Sequence, residues 1–238
     1  MRDRLRSVVL WGAVVSCAAS VACSRGKGAS SGGAGLLGTS ARTDLLLEGS
    51  GLETLRIGEA TVADAASRLG LSPVADWTRT FDDGLVEMRT PPLLTLSFLP
   101  PESGQGPPRL YGVRASLWEP VYTGKTGKGI GFLDSLDAVR AAYGPSDAEA
   151  VGMNDRTHYY AHQGVIITTR HPRDVQPKIY AQARAALGKQ PDEGPESQVV
   201  TGILVVPPFT VTKAAERAMA RQQVISTRPE TTLRIREY

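Results

Sequence analysis

Two stretches of this 238-residue chain follow the same plan, and this internal similarity constrains the fold more than any other feature. Residues 57–70 (IGEATVADAASRLG) and 130–144 (IGFLDSLDAVRAAYG) both begin with Ile-Gly and end with glycine. Between those ends, each has a polar capping residue followed by apolar residues at helical spacing, which predicts a short amphipathic helix. The similarity predicts that one structural unit occurs twice.

The ends and the apolar faces of both helices can be predicted. Thr61 caps the first helix and Asp64, three residues later, completes a capping box. Either Asp134 or Ser135 caps the second helix, and the final glycine of each stretch is in the position of a left-handed C-cap. The apolar stripe of the first helix consists of Val62, Ala65, Ala66 and Leu69. The stripe of the second helix consists of Leu136, Val139 and Tyr143.

The strands that follow the two helices also correspond. Residues 88–100 parallel 159–172, because each contains a strand, a short break and a second β-rich run. Residues 109–120 parallel 198–208, and each has a glycine near the start of a strand. The second copy contains an additional helix over residues 177–187, which begins with proline and is followed by glycine.

These elements predict an α+β fold with an antiparallel sheet and helices on one face. Residues 44–122 form the first strand-helix-strand-strand unit. Residues 123–209 form the second unit with its inserted helix. Residues 210–238 are predicted to add a C-terminal helix and a strand.

The N-terminus has the organisation of a secretory signal. Residues 1–22 are predicted to be a signal peptide, with basic residues followed by an apolar run shorter than the ~20 residues of a spanning helix. Residues 23–43 are rich in glycine and serine, which indicates a flexible tether. An uncleaved anchor helix is the alternative interpretation. The residues before the two cysteines resemble a bacterial lipobox, with Cys23, or alternatively Cys17, as the lipid attachment site.

The resemblance to lipoproteins extends into the body of the chain. The Ile57-Gly58 and Ile130-Gly131 pairs, the helices over 61–70 and 135–144, and the lipobox together resemble the small SmpA/OmlA-type outer-membrane lipoproteins. They are also similar to the tandem β-lactamase inhibitory protein fold. The chain departs from that pattern because it has no Gly-Met-Thr helix entry and contains an inserted helix. The resemblance implies a binding or assembly module, and it identifies no particular partner. The outer membrane is the expected location, because neither Ser24 nor Ala18, which follow the candidate cysteines, is the aspartate that retains many lipoproteins at the inner membrane.

Cysteine content and charge exclude several classes of protein. Both cysteines lie in the first 23 residues, so the body must be stabilised by an ordinary core without disulfides. Removal of the signal leaves 24 basic and 23 acidic residues, without a basic stripe. Nucleic acid is therefore not an expected partner, whereas the membrane and another envelope protein are.

The glycine- and lysine-rich stretch over residues 123–131 does not have the spacing of a phosphate-binding loop. A Walker A motif ending at Gly124-Lys125-Thr126 would need a glycine where the chain has Glu119. The stretch is interpreted as the entry to the second helix, and no cofactor is expected.

The candidate chemical residues are few. In an extended strand, His158 and His162 would share one face with Asp155 close upstream, and Trp118 and Tyr122 could line a ligand groove. The alternatives are solvent-facing histidines on an edge strand and aromatic residues of the core. No spaced metal-ligand motif is present. The predicted function is a non-catalytic protein-interaction module. The alternative is a periplasmic hydrolase or ligand-binding protein that uses the His158/His162 region.

Overall fold

The computed structural model describes residues 44–82, 84–90, 94–101, 103–117, 121–209 and 224–225. The predicted signal peptide, the tether, Cys17 and Cys23 lie outside the described residues. The same is true of Trp118 and of the predicted helix and strand in 210–238, except for residues 224–225.

The described chain is an α+β protein, as the sequence predicts, and it has three α-helices and two antiparallel sheets. The helices are α1 (Val62–Leu69), α2 (Leu136–Tyr143) and α3 (Pro177–Leu187). The small sheet has the order β1 (Leu46–Leu47), β2 (Gly51–Leu52) and β3 (Leu55–Arg56). The strands of the large sheet are β4 (Thr78–Thr80), β5 (Val86–Thr90), β6 (Leu94–Leu99), β7 (Arg109–Ser116), β8 (Ala148–Val151), β9 (Arg156–Tyr160), β10 (Val165–Arg170), β11 (Val199–Val205) and β12 (Val224–Ile225).

The large sheet contains two four-stranded meanders that meet through their last strands. Its order is β12-β8-β9-β10-β11-β7-β6-β5-β4, and each neighbouring pair is antiparallel. The sequence predicts two or three strands per meander, so β4 and β8 are the additional strands. As a result, β9 is an interior strand and β4 is one edge of the sheet.

One face of the large sheet is packed against the helices. Strands β6 and β10 alternate strictly between buried and half-buried residues, as expected for a sheet with one face in the core. Ala65 of α1, Val139 of α2 and Ala183 of α3 are fully buried in the same hydrophobic cluster as Leu96 and Ile167 of these strands. The three helices therefore contribute to one continuous core.

The predicted helix starts are confirmed. The Thr61 hydroxyl accepts from Asp64 N (3.2 Å) and Thr61 N donates to the Asp64 carboxylate (2.8 Å), which forms the capping box. The Thr61 hydroxyl also donates to the Asp64 carboxylate (2.7 Å), and this bond, together with the one from Thr61 N, holds the pKa of Asp64 below its usual value. At α2, Ser135 rather than Asp134 is the cap, because Ser135 Oγ accepts from Ala138 N (3.1 Å).

All three helices end at the predicted glycine, but Gly144 does not have the predicted left-handed conformation. Gly70 and Gly188 follow α1 and α3 in the left-handed conformation. Gly144 after α2 has φ 80° and ψ −162°, which is not the left-handed helical region. This extended conformation with positive φ is accessible essentially only to glycine, and it directs the chain from α2 into β8.

The glycine- and lysine-rich stretch precedes α2 in the chain and is hydrogen-bonded to the small sheet. Leu46 N donates to Lys125 O (2.8 Å) and Gly127 N donates to Leu46 O (3.0 Å), so Leu46 pairs in parallel with Thr126. The strand predicted before the first helix is therefore replaced by the three short strands of the small sheet, and the strand predicted before the second helix is reduced to the isolated bridge at Thr126. The stretch holds this sheet in place through its backbone.

Candidate functional site

His158, at the centre of β9, is a buried polar residue with hydrogen-bonding partners on both neighbouring strands. Its ring is 1% exposed and faces the core between β8 and β10. His158 Nδ1 lies 3.1 Å from Glu149 Oε1 on β8, and Nε2 lies 3.1 Å from Thr169 Oγ1 on β10. The cluster extends to Ser146, whose hydroxyl donates to Glu149 Oε1 (3.2 Å), and to Gln198, whose Oε1 is 3.3 Å from Thr169 Oγ1. We call these five residues the His158 cluster.

The environment of His158 favours the neutral ring. Burial, the largest cause, lowers its pKa below the usual value, and Arg140 and Arg156 act in the same direction, although the Glu149 carboxylate opposes them. When Nδ1 donates to the Glu149 carboxylate, Nε2 is an acceptor, and the one proton of the Thr169 hydroxyl is shared between Nε2 and Gln198 Oε1. The Thr169 hydroxyl, the His158 imidazole and the Glu149 carboxylate therefore lie in one hydrogen-bonded line.

This order is that of a nucleophile, a base and an orienting acid, but the nucleophile is inaccessible. Thr169 is 0% exposed, so its hydroxyl cannot contact a substrate in this structure. An open groove of about 410 Å³ passes beside the cluster and is lined by Arg140, Gly144, Pro145, Ser146 and Glu149. It reaches Glu149, whose side chain is 14% exposed. In this conformation the cluster links β8, β9 and β10 with Gln198, which directly precedes β11.

The structure does not bring together His158, His162 and Asp155, the candidate group of the alternative hydrolase hypothesis. His162 is exposed on the 3₁₀ turn Ala161–Gln163, after the end of β9. Asp155 lies before β9, where its carboxylate is 3.4 Å from the Arg170 guanidinium. The prediction that His158 faces solvent on an edge strand is wrong, because β8 and β10 flank β9 and His158 is opposite Ile167 of the core.

Tyr122 belongs to the core, which is the second of the two interpretations that the sequence left open. It is 1% exposed, its hydroxyl donates to the Asp44 carbonyl and its ring meets Phe132 edge-on at 6.3 Å. Burial raises the pKa of Tyr122. The third histidine, His171, accepts from Arg173 N (3.1 Å) at Nδ1 and donates from Nε2 to the carbonyl of Gly194 (3.0 Å). Within the described ranges, no three His, Cys, Asp or Glu side chains converge as metal ligands would.

A second polar network was not predicted from the sequence. The Tyr143 hydroxyl at the end of α2 bonds to Glu48 and lies 2.6 Å from Thr126 Oγ1. Lys128 Nζ lies 4.8 Å from the centre of the Tyr143 ring, and its backbone N–H donates to Glu48 (3.1 Å). Burial raises the pKa of Tyr143. The contacts span 95 residues of sequence, so no local pattern indicates them.

The face of the large sheet opposite the helices has an exposed basic part. Arg89, Thr95 and Arg114 lie side by side on β5, β6 and β7, because Arg89 is paired with Thr95 and Thr95 with Arg114. Both arginines are exposed, and neither forms an ion pair with another described residue. The row continues through Leu204 and Ile166, which are half-buried. We call this surface the outer face.

Comparisons with protein-family models, curated proteins and solved structures gave no match. In the described part of the chain, no helix is both long and apolar enough to span a bilayer.

Proposed function

We propose that this chain is a lipid-anchored protein of the bacterial cell envelope that acts as a non-catalytic interaction or assembly module built from two tandem α/β units. The support for anchoring at the outer membrane is the sequence of residues 1–43, with its signal, lipobox and tether. The support for the tandem architecture and for the interaction surface comes from the fold.

Equivalent bridges at the two helix caps support the tandem architecture. Thr61, the cap of α1, forms an antiparallel bridge with Arg109 at the start of β7. Ser135, the cap of α2, forms the same bridge with Val199 at the start of β11. In each unit, the helix entry is thereby attached to the last strand of the meander that follows the helix.

Matching irregularities in the sheet are a second support. The β6–β7 register shifts between Ser97 and Phe98, and the β10–β11 register shifts between Thr168 and Thr169. A glycine lies opposite the first residue of each pair, Gly112 in one case and Gly202 in the other. Each unit also contains a row of paired residues that crosses its four strands, and the two rows correspond when they are followed outward from the β7–β11 junction. The row of the first unit is Val113, Leu96, Met88 and Thr78, and the row of the second unit is Ile203, Ile167, His158 and Glu149.

The hydrogen bonds also refine the correspondence at the helix entry. Gly58 N donates to Leu110 O (2.8 Å), and Leu133 N donates to Val200 O (3.0 Å). Both donors have positive φ, 82° at Gly58 and 62° at Leu133. This correspondence aligns Gly58 with Leu133 rather than with Gly131 of the second Ile-Gly pair.

The interaction function depends on the outer face. Exposed arginines without an ion pair are suited to recognising carboxylates on another protein, and arginine is enriched at protein interfaces. Arg89 and Arg114 are separated by one intervening strand, which places their backbones about 10 Å apart. Thr95 between them adds a hydroxyl, so the row presents a flat, polar and basic surface.

Site-specific photocrosslinking in intact cells tests this function. We expect a photoreactive residue at Ser97, beside the basic row, to give a discrete protein adduct. The same residue at Ser67, exposed on α1, is the matched control and should give none. Reversing both charges, with Arg89→Glu and Arg114→Glu, should remove the Ser97 adduct. Equal adducts from Ser97 and Ser67, or none from either position, would contradict the proposed surface.

Metabolic labelling with a palmitate analogue tests the anchor. We expect the wild-type chain to be labelled and the double variant Cys17→Ala, Cys23→Ala to be unlabelled. The single variants identify the acylated residue. Label that persists in the double variant, or its absence from the wild type, would contradict lipid anchoring.

A further inference from the structure

The two edges of the large sheet differ. At one edge, β12 is added antiparallel to β8, with Ile225 opposite Glu149 and Val224 opposite Ala150. At the other edge is β4, Thr78–Thr80, which pairs with β5 on its inner side. Among the strands that the structure describes, none pairs with the outer side of β4.

The backbone of β4 directs two donors and two acceptors away from the sheet. Arg89 N donates to Trp77 O (2.9 Å) and Phe81 N donates to Leu85 O (2.9 Å). Hydrogen-bonded pairs alternate along an antiparallel ladder, so the backbone N–H and C=O of Arg79, midway between Trp77 and Phe81, also point toward β5. The N–H and C=O groups of Thr78 and Thr80 therefore point outward, where an added strand would bind them.

The β8 edge of the sheet, which β12 covers, shows that an additional strand can pair at the position that corresponds to β4. In the second unit, Gly152 N donates to Asp155 O (2.8 Å), and the same alternation directs the backbone of Glu149 outward, toward Ile225. Glu149 and Thr78 are the last residues of the two corresponding rows, because Glu149 is opposite His158 and Thr78 is opposite Met88. The chain thus covers one of two equivalent edges with its own strand.

We propose that the β4 edge binds an extended segment of a different polypeptide, which adds to the sheet as an antiparallel strand with an acidic residue opposite Arg79. This inference rests on the proposed interaction function and names the kind of partner. Arg79 is exposed at the centre of β4, with its guanidinium 4.8 Å from the centre of the Phe81 ring. Directly opposed side chains on paired strands have Cβ atoms about 5 Å apart, so a carboxylate there is favoured.

A second copy of this chain is the less favourable occupant. Two β4 strands paired about a two-fold axis in full register would place Arg79 opposite Arg79, and like charges in that position are destabilising. The flanking carboxylates, Asp76 and Asp82, would also be opposed to each other in that register. The charge pattern thus disfavours self-pairing and leaves the edge available to a segment of complementary charge.

Peptide binding to the full chain in detergent tests the inference. The probes are two fluorescent nine-residue peptides of alternating threonine and valine, identical except for glutamate or lysine at the centre. By fluorescence anisotropy we expect the glutamate peptide to bind about three- to tenfold more tightly, since one cross-strand charge pair replaces a repulsion. Arg79→Glu should reverse this preference.

A backbone variant and its control separate strand addition from surface attraction. Thr80→Pro removes an outward N–H without removing a bond to β5, so it should preserve the fold and abolish peptide binding. Thr80→Val keeps the N–H and should bind as the wild type does. Circular dichroism and thermal unfolding check that both variants fold.

Several results would overturn the inference. Binding that survives Thr80→Pro, or a preference that does not reverse in Arg79→Glu, would exclude strand addition at β4. Failure of both peptides to bind would mean that Arg79 only prevents other strands from pairing with the β4 edge. Dimerisation of the full chain that Thr80→Pro abolishes would assign the edge to a second copy. If Ser97 still gives its adduct in cells, these failures leave the proposed interaction function intact.

Discussion

Replacement of His158 by methionine tests whether the His158 cluster is a structural crosslink. Met88 occupies the corresponding position in the row of the first unit, opposite Leu96 as His158 is opposite Ile167. Methionine is flexible enough to occupy the volume of the ring. The variant removes the contacts of Nδ1 with Glu149 and of Nε2 with Thr169, both 3.1 Å.

The expected loss follows from the partners that remain. Removing one partner of a buried hydrogen bond costs about 1–3 kcal/mol. Glu149 keeps its bond from Ser146 and Thr169 can still donate to Gln198, so we expect a loss of about 1–2 kcal/mol in the free energy of unfolding at pH 7.5. Adding Thr169→Val should cost little more, because replacing both partners with apolar groups is nearly neutral.

Urea unfolding followed by tryptophan fluorescence measures these changes, provided that the slope m is the same in all variants. The double-mutant cycle of His158→Met and Thr169→Val should give a coupling free energy of about 1 kcal/mol. Thr157→Val, on the other side of β9, is the control and should change stability by less than about 0.5 kcal/mol. Additive effects of His158→Met and Thr169→Val would refute the interpretation of the cluster as a crosslink.

Three further predictions concern pH and two local features. Because burial lowers the pKa of His158 in the folded state, the unfolded state binds its proton first as the pH falls below 6.5. Acidification from pH 7.5 to 5.5 should therefore lower the free energy of unfolding of the wild type relative to that of His158→Met. The relative loss is at most about 1.4 kcal/mol per pH unit below 6.5. A difference between the two urea midpoints that is the same at all pH values would contradict this prediction. Gly144→Ala should cost about 1–3 kcal/mol in urea unfolding because of its backbone conformation, more than Gly70→Ala in the left-handed region; equal losses would argue against strain at Gly144. Tyr143→Phe removes the hydroxyl that bonds to Glu48 and should lower the free energy of unfolding by about 1–3 kcal/mol, measured as a lower midpoint of thermal unfolding. An unchanged midpoint would show that water replaces the bond.

Local features were predictable because their causes lie within three or four residues. The capping box of Thr61 and Asp64 and the limits of α3 at Pro177 and Leu187 agree with the sequence analysis. The apolar stripes were also predictable, because helical spacing alone defines which side chains share a face. The α+β class followed from these elements, since an amphipathic helix and alternating strands must bury their apolar faces against each other.

The position of His158 was decided by the tertiary structure. The alternation in β9 shows which residues share a face, but Tyr159 and Tyr160 give both faces of this strand an aromatic residue. The sequence of the strand therefore does not identify its core face. That face is set by β8 and β10, whose pairing with β9 makes it an interior strand and brings Glu149 and Thr169 to the ring.

The tertiary structure likewise decided the small sheet, the β7–β11 junction and the position of β4 at the end of the described sheet. Each depends on which distant strands pair, as with Leu46 and Thr126, and a two- or three-residue strand has too short a pattern to indicate its partner. Amino-acid sequence alone determined the three helices and where they end, because those are local. The tertiary structure decided which groups are buried together and which strands lie at the edges of the sheet in the described part of the chain, because pairing over tens of residues depends on the packing of the whole core.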